Sequence, residues 1–395
     1  MTFRESPGLW RRALALGGLA GLLRRAGWPG LEEEYAMTVC SAALVTEMSS
    51  EPGPTPESLR HALDGVLGWV PEKPRHPALI VARGAAAILT GDFAAAKRAI
   101  RDVHDHPDPW VRAISRVALG FMAMNDGDIA TAAAELHAGL AGFRALGDRW
   151  GMITALSGAL QVALARGEAE EAVRLGEEAY GYAAEGVSPE QGGTVLIQLA
   201  RARAETGDFA RARADLERAI GDMERIGEYA EAANGHLSLS DLARREGDLA
   251  AVRAQLERAR ELIEPRAERA DVRQVCARTF SHLGRMAQQD GDLEAAARWH
   301  GRALRDVAGR VLIGNPTFAE LIEGVAALDS ARGDHEHAAE LLGAAHGLRG
   351  YQDSWSIDAA DVTSAAEDAL GEEAFAEAYD RGRGLSRENV LARVT

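Results

Sequence analysis

Along this chain of 395 residues, small and apolar side chains return at fixed distances from one recurring pair, a glycine followed by an acid. The pair stands at Gly91-Asp92, Gly127-Asp128, Gly167-Glu168, Gly207-Asp208, Gly247-Asp248, Gly291-Asp292 and Gly333-Asp334, at spacings of 36, 40, 40, 40, 44 and 42 residues. Five residues after the glycine come Ala96, Ala132, Ala172, Ala212, Val252, Ala296 and Ala338. Twelve after it come Val103, Gly139, Ala179, Ala219, Ala259, Ala303 and Ala345. Seven before it lie Gly84, Gly120, Leu160, Ala200, Ser240, Gly284 and Ala326, usually preceded by an apolar residue such as Leu119, Leu199, Leu239, Leu283 or Val325. A period in this range predicts a helical solenoid, in which each repeat is one helix pair that buries its apolar face only against its neighbours. The small residues mark where helices cross closely.

The glycine-acid pair has a mechanical reason. A glycine just past a helix enters the left-handed conformation that ends it, and the acid after it caps the next helix and favours its positive N-terminal end. One dipeptide stops one helix and starts another.

Taken in order, residues 1–50 read as a degenerate N-terminal helical repeat, with LWRRALALGGLAGLLRR at 9–25 as its first helix. The apolar run in that helix is too short to span a bilayer, and no small-residue cleavage site follows it. Residues 51–75 hold a Pro-rich break and a short helix. Residues 76–348 carry seven repeats, and 349–395 an atypical segment that reads as a helical cap over the apolar end of the array. Within that cap, GYQDSWSIDAADV reads as a non-helical bridge, with Asp358 as the N-cap of a helix over 362–370. The expected fold is all-α, a right-handed superhelical solenoid.

Composition narrows the possibilities. Hydrophobic residues are 47% of the chain and aromatics only 5%. The apolar residues are mostly Ala, Leu and Val, which suits close-packed helices. A formal net charge of −16 argues against direct grip on a phosphate backbone. Cys40 and Cys276 fall in distant repeats, which in an extended array do not touch, so no disulfide is expected; this fits a cytoplasmic protein.

Chemistry is sparse. His335-Glu336-His337 and His104-Asp105-His106 place histidines two apart, on different sides of a helix, whereas a zinc-protease pair needs an offset of four. There is no CxxC, no GxSxG and no GxxxxGK[ST] phosphate loop, so neither ATP hydrolysis nor any other catalysis is expected, and no cofactor or metal.

The repeat grammar resembles that of the tetratricopeptide repeat, although the large aromatic often found four residues before the glycine is replaced here by Ala87, Ala123, Ala163, Ala243 and Ala287. In that family the inward face of the first helices falls three, six, ten and thirteen residues before the glycine. Projected here, the register gives Thr154 and Gln161, then Thr194 and Arg201, then Asn234, Asp241 and Arg244, and finally Arg278, Ser281, Arg285 and Gln288. Earlier repeats place Val81, Ile88, Ile114, Val117, Phe121 and Met124 there, giving a groove that is apolar at one end and arginine-rich in its middle. Guanidinium groups bind carboxylates bidentately. Two roles are open to these arginines: pairing with acids of neighbouring repeats, or holding a peptide carboxylate or an anionic small molecule.

Three stretches, GLEEEYAMTVCSAAL at 30–44, PRHPALIVARGAAA at 74–87, and HAAELLGAAHGLRG with DALGEEAFAEAYDRGRGLSRENVL near the end, resemble the C-terminal region of antibiotic-regulatory-protein (SARP) type activators of the AfsR-like group. The resemblance runs over essentially the whole chain. It implies a non-enzymatic sensor that binds a peptide, small molecule or protein partner in its concave groove. In a longer regulator of secondary metabolism, nucleotide-binding and DNA-binding domains would be its partners. A stand-alone adaptor or peptide receptor is the alternative.

Overall fold

The computed structural model describes residues 93–187, 189–267, 270–307 and 314–394; the readings made for residues 1–92 lie outside them. Among the described residues there is no strand. Helix α1 (Phe93–Arg101) is followed by six antiparallel pairs: α2 (Pro109–Asn125) with α3 (Ile129–Leu146), α4 (Arg149–Ala165) with α5 (Ala169–Tyr182), and α6 (Pro189–Glu205) with α7 (Phe209–Ile226). Then come α8 (Tyr229–Arg245) with α9 (Leu249–Ile263), α10 (Ala270–Gln289) with α11 (Leu293–Val307), and α12 (Asn315–Ala331) with α13 (His335–Arg349). Three shorter helices close the chain: α14 (Ile357–Leu370), α15 (Glu372–Arg383) and α16 (Arg387–Val394).

The turns follow from their residues. Gly127, Gly167, Gly207, Gly247, Gly291 and Gly333 all have positive φ, and Asp128, Asp208, Asp248, Asp292 and Asp334 each accept a hydrogen bond from the backbone N–H three residues on. Glu168 makes no such side-chain bond, because its longer side chain does not match the cap geometry that aspartate fits. The same device also joins one pair to the next at Gly147-Asp148 and Gly227-Glu228, both glycines being left-handed. The 40-residue period is thus two near-equal halves of about 20. Between α5 and α6 a π turn over Ala183–Val187 replaces the glycine-acid pair.

Every small residue described at the plus-five and plus-twelve offsets is buried, for example Ala132, Ala212, Ala179 and Ala219, so the crossings are set by side chains no larger than valine. Gly284, seven before its pivot, leaves room for the His300 imidazole of α11, which a Cβ there would strike. First helices of successive pairs also pack directly on one another, α2 on α4, α4 on α6, α6 on α8, α8 on α10 and α10 on α12. That places them on the inner, shorter arc of the superhelix.

Two features depart from the sequence reading. Distant repeats do touch: the arc bends until Asn125, at the end of α2, meets Asn315, at the start of α12. The Asn315 backbone N–H donates to Asn125 Oδ1, and its side-chain amide donates to the Asn125 carbonyl, both at 2.9 Å. Beside them Gly127 and Gly350 lie back to back, so close that a Cβ on either would overlap the other's backbone. Cys276 is buried in α10, and Cys40 lies outside the described residues. The second departure is the cap. Asp358 is not an N-cap: Ser356 fills that role, accepting from the Ala359 N–H. Helix α14 therefore begins at Ile357, five residues before the expected start, and carries Asp358 buried in its first turn. Beyond it, α15 packs on α13 at near backbone contact, where side chains at Gly343, Gly347 or Gly382 would collide with the facing main chain.

Candidate functional site: the concave cavity

Closure of the arc turns the inner face into a cavity of about 440 Å³. Its walls come from α4, α6, α8, α10 and α12, and its mouth is crossed by the segment joining α13 to α14, which contributes Tyr351, Asp353, Trp355, Ser356, Ile357 and Asp358. Four consecutive first helices each present a side-chain amide to the space: Gln161, Gln198, Asn234 and Gln274. Hydroxyls of Thr194, Ser238 and Thr317 lie among them, and Met124, Ile129, Leu160 and Leu164 make one end apolar.

The arginines are paired. Arg278 Nε donates to Glu320 Oε2 at 2.9 Å and its Nη1 to Asn234 Oδ1 at 2.9 Å. Arg285 donates from Nη2 to the Glu320 carbonyl at 3.0 Å, and its Nε lies 2.6 Å from Asp358 Oδ2 in an ion pair without good hydrogen-bond alignment. Arg244 grips the other oxygen of Asp358. Nearer the mouth, Arg201 donates to Glu205 at 3.0 Å and to Asp353 at 2.9 Å. The Arg245 guanidinium lies over the Trp355 ring, 3.5 Å from its centroid, and donates to the Trp355 carbonyl. Arg349 bonds Glu323 at 2.6 Å, and the Ser356 hydroxyl donates to the other oxygen of that carboxylate at 2.9 Å.

Charge states follow from these partners. Burial would raise the Glu320 carboxyl, but Arg278, His282 and Arg285 outweigh it and hold it well below the usual range. Burial likewise opposes ionisation of Asp358 and Asp353, and the guanidiniums of Arg285 and Arg244 in one case, and of Arg201 and Arg349 in the other, hold both low. Glu231, half-buried and without a close arginine bond, is pushed up by its desolvation instead. The cavity is therefore a field of fixed, largely neutralised charge with uncharged donors and acceptors between the ion pairs.

Of the residues projected onto the groove, Gln161, Thr194, Arg201, Asn234, Asp241, Arg244, Arg278 and Arg285 line the cavity. Ser281 does not: it is fully buried between α10 and α12. Gln288 and Thr154 also lie outside the lining, the Thr154 hydroxyl bonding the Trp150 carbonyl of its own helix. Of the apolar set, Met124 reaches the cavity, whereas Ile114 and Val117 are core. The projection missed Gln198 and Ser238, nine residues before their glycines, and Glu231, Gln274 and Thr317, sixteen or seventeen before theirs. Both positions are one helical step from a predicted one and so share its face. It also missed the crossing segment, which no repeat register addresses. His337, flagged beside His335, bonds Asp329 at 2.9 Å on the surface of α13. Among the described residues no cluster of three or more His, Cys, Asp or Glu side chains could hold a metal ion, and no helix is long and apolar enough to cross a membrane.

The fold and cavity define a tetratricopeptide-type α-solenoid. No protein-family model matches the sequence, and no curated protein is detectably similar to it. Among solved structures, the chain is similar to a Rap protein complexed with Competence and Sporulation Factor, at 11% identity over 92% of this chain and 100% of that one, with a TM-score of 0.59. It is also similar to aspartyl phosphate phosphatase F from Bacillus subtilis, at 10% identity over 90% and 98%, TM-score 0.50. A Signal Transduction ATPase with Numerous Domains protein from Pyrococcus horikoshii, with a tetratricopeptide repeat sensor, aligns at 13% identity over 88% of this chain and 53% of that one, TM-score 0.49; this chain spans about half its length.

Proposed function

We propose that this chain is a non-enzymatic, cytoplasmic receptor module that binds a peptide or a peptide segment of a protein partner in its concave cavity, as the sensing part of a SARP-type transcriptional regulator. The observation that carries this is the row of amides from Gln161, Gln198, Asn234 and Gln274, one per repeat, around a space of about 440 Å³. A side-chain amide offers one acceptor and two donors, the complement of a peptide group, and a row of them at repeat spacing suits an extended backbone. The Rap protein of like fold was solved with a factor bound, which supports a binding role for a solenoid of this shape. The regulator context rests on the sequence resemblance, in which nucleotide-binding and DNA-binding domains would act on the DNA while this acidic chain makes no direct nucleic-acid contact.

The test is selection of phage-displayed random octapeptides on the purified chain. Enriched peptides are expected to bind, and to lose at least about tenfold in affinity on Asn234→Leu or Gln198→Leu, since each substitution removes hydrogen bonds worth about 1 kcal/mol or more and leaves peptide groups unpaired. Failure to enrich any peptide, or binding indifferent to both substitutions, would overturn the reading.

A further inference from the structure

The segment crossing the cavity mouth is the molecule's own guest. Tyr351–Trp355 has no helical structure and is held on the inner helices by the Asp353 and Trp355 side chains and by the Trp355 carbonyl, which accepts from Arg245. The Asp353 carboxylate sits on Arg201 of α6 and accepts the Trp355 N–H at 3.0 Å, and the Trp355 ring lies on Arg245 of α8. Both cations belong to inner helices and are reached across more than a hundred residues of chain. The anchorage is graded. Deeper in, Asp358 lies between Arg244 and Arg285 with its side chain only 6% exposed, and Glu323 ties Ser356 to Arg349. At the outer end the Arg201–Asp353 pair is the more exposed, at 35% and 16%, against 16% and 6% for Arg244–Asp358. Ion pairs at solvent contribute little and exchange readily, whereas buried ones do not.

Charge points the same way. Six arginines and six carboxylates line the cavity. Lifting Asp353 away leaves Arg201 with Glu205 alone, and lifting Trp355 uncovers Arg245, whose ring contact and hydrogen bond are both to Trp355, in a chain whose overall charge is −16. A local positive site on an acidic protein selects an anionic visitor and disfavours a cationic one.

Resting on the peptide-binding reading above, we propose that the ligand is an acidic peptide with an aromatic residue close to a carboxylate, which takes Arg201 and Arg245 by displacing Asp353 and Trp355. Ser356 and Asp358 stay docked, so the displaced piece is a loop pinned at Gly350 and Ser356. Arg201 keeps Glu205 as its second partner throughout, and Arg349 keeps Glu323.

The probe is a synthetic peptide spanning residues 350–357, blocked at both ends and fluorescently labelled, titrated by anisotropy against the full chain. The double variant D353N/W355A, with its mouth vacated, is expected to bind it at least tenfold more tightly than the wild type. Adding Arg201→Ala to the double variant is expected to abolish the gain, as is placing D353N in the peptide. Equal affinity of wild type and double variant, or indifference to either of those two changes, overturns the proposal. Should the double variant fail to fold by circular dichroism, hydrogen exchange on the wild type decides. Amides 352–356 are expected to exchange faster at saturating peptide, and unchanged protection rejects displacement. Peptides from the phage selection that need Asn234 or Gln198 but ignore D353N/W355A would leave the binding reading standing and remove this one alone. No selected peptide at all would remove the binding reading itself.

Discussion

The outer and inner faces of this solenoid carry the same kinds of charged pairs, with different consequences. On the convex helices, Arg174–Glu171, Arg225–Asp222 and Arg260–Glu257 are local i,i+3 pairs largely in water. On the concave side, Arg244–Asp358–Arg285 and Arg349–Glu323 are buried and join residues far apart in sequence. Water screens the first set, so those pairs decorate helices that would form without them. The second set has lost its water and must be satisfied by partners, so it fixes how the C-terminal segment sits on the array. Identical chemistry becomes ornament or joint according to solvent alone.

The comparison can be broken most forcefully at its centre. Asp358→Ala leaves two buried guanidiniums without their shared carboxylate and is expected to cost about 3–5 kcal/mol, read as a lower urea midpoint; a loss under about 1 kcal/mol would mean that water already reaches the triad. Acid should strike the same joint more gradually. Asp353, Asp358 and Glu320 all titrate lower in the folded chain than free carboxylates do, so their contribution is complete above about pH 5 and is lost as pH falls through their lower folded values. Thermal melts between pH 7 and pH 2.5 are expected to be flat near neutrality and to fall steeply only below about pH 4.

The seam where the arc closes offers a finer contrast. Gly350→Ala and Gly247→Ala both force alanine into a left-handed conformation, at about 1–2 kcal/mol. Only Gly350 faces another backbone, that of Gly127, whereas the space around Gly247 is open. The Gly350 variant is expected to lose clearly more stability and to loosen the Asn125–Asn315 contact, seen as faster exchange of the Asn315 amide; equal losses would remove closure from the account. Smallest of all, Glu171→Ala on the convex face is expected to shift stability by less than about 0.5 kcal/mol, and a larger shift would show that convex pairs also hold the array together.

Much of the fold was legible because it is local. A glycine that turns left and an aspartate that caps the next helix act within a few residues, and small residues at fixed offsets report crossings between neighbours. Arg201, Asn234, Arg244, Arg278 and Arg285 were found on the inner face for the same reason, since the helical period carries them there. Ser281 was misplaced because its position on α10 meets α12 rather than the cavity, a matter of how tightly the arc curves. Gln198 and Gln274 were missed because the projection took single positions where a helix exposes a stripe.

By itself, the sequence determined that helices would pair, where they would turn, and which side of each would face inward, because all of these follow from residues within one repeat of one another. Only the tertiary structure decided that the arc would close at Asn125 and Asn315 and that Asp353, Trp355 and Asp358 would answer the inner arginines. Those contacts join residues 110 to 190 positions apart. Over such distances a small rotation per repeat, summed along the solenoid, sets who meets whom, and no local pattern encodes that sum.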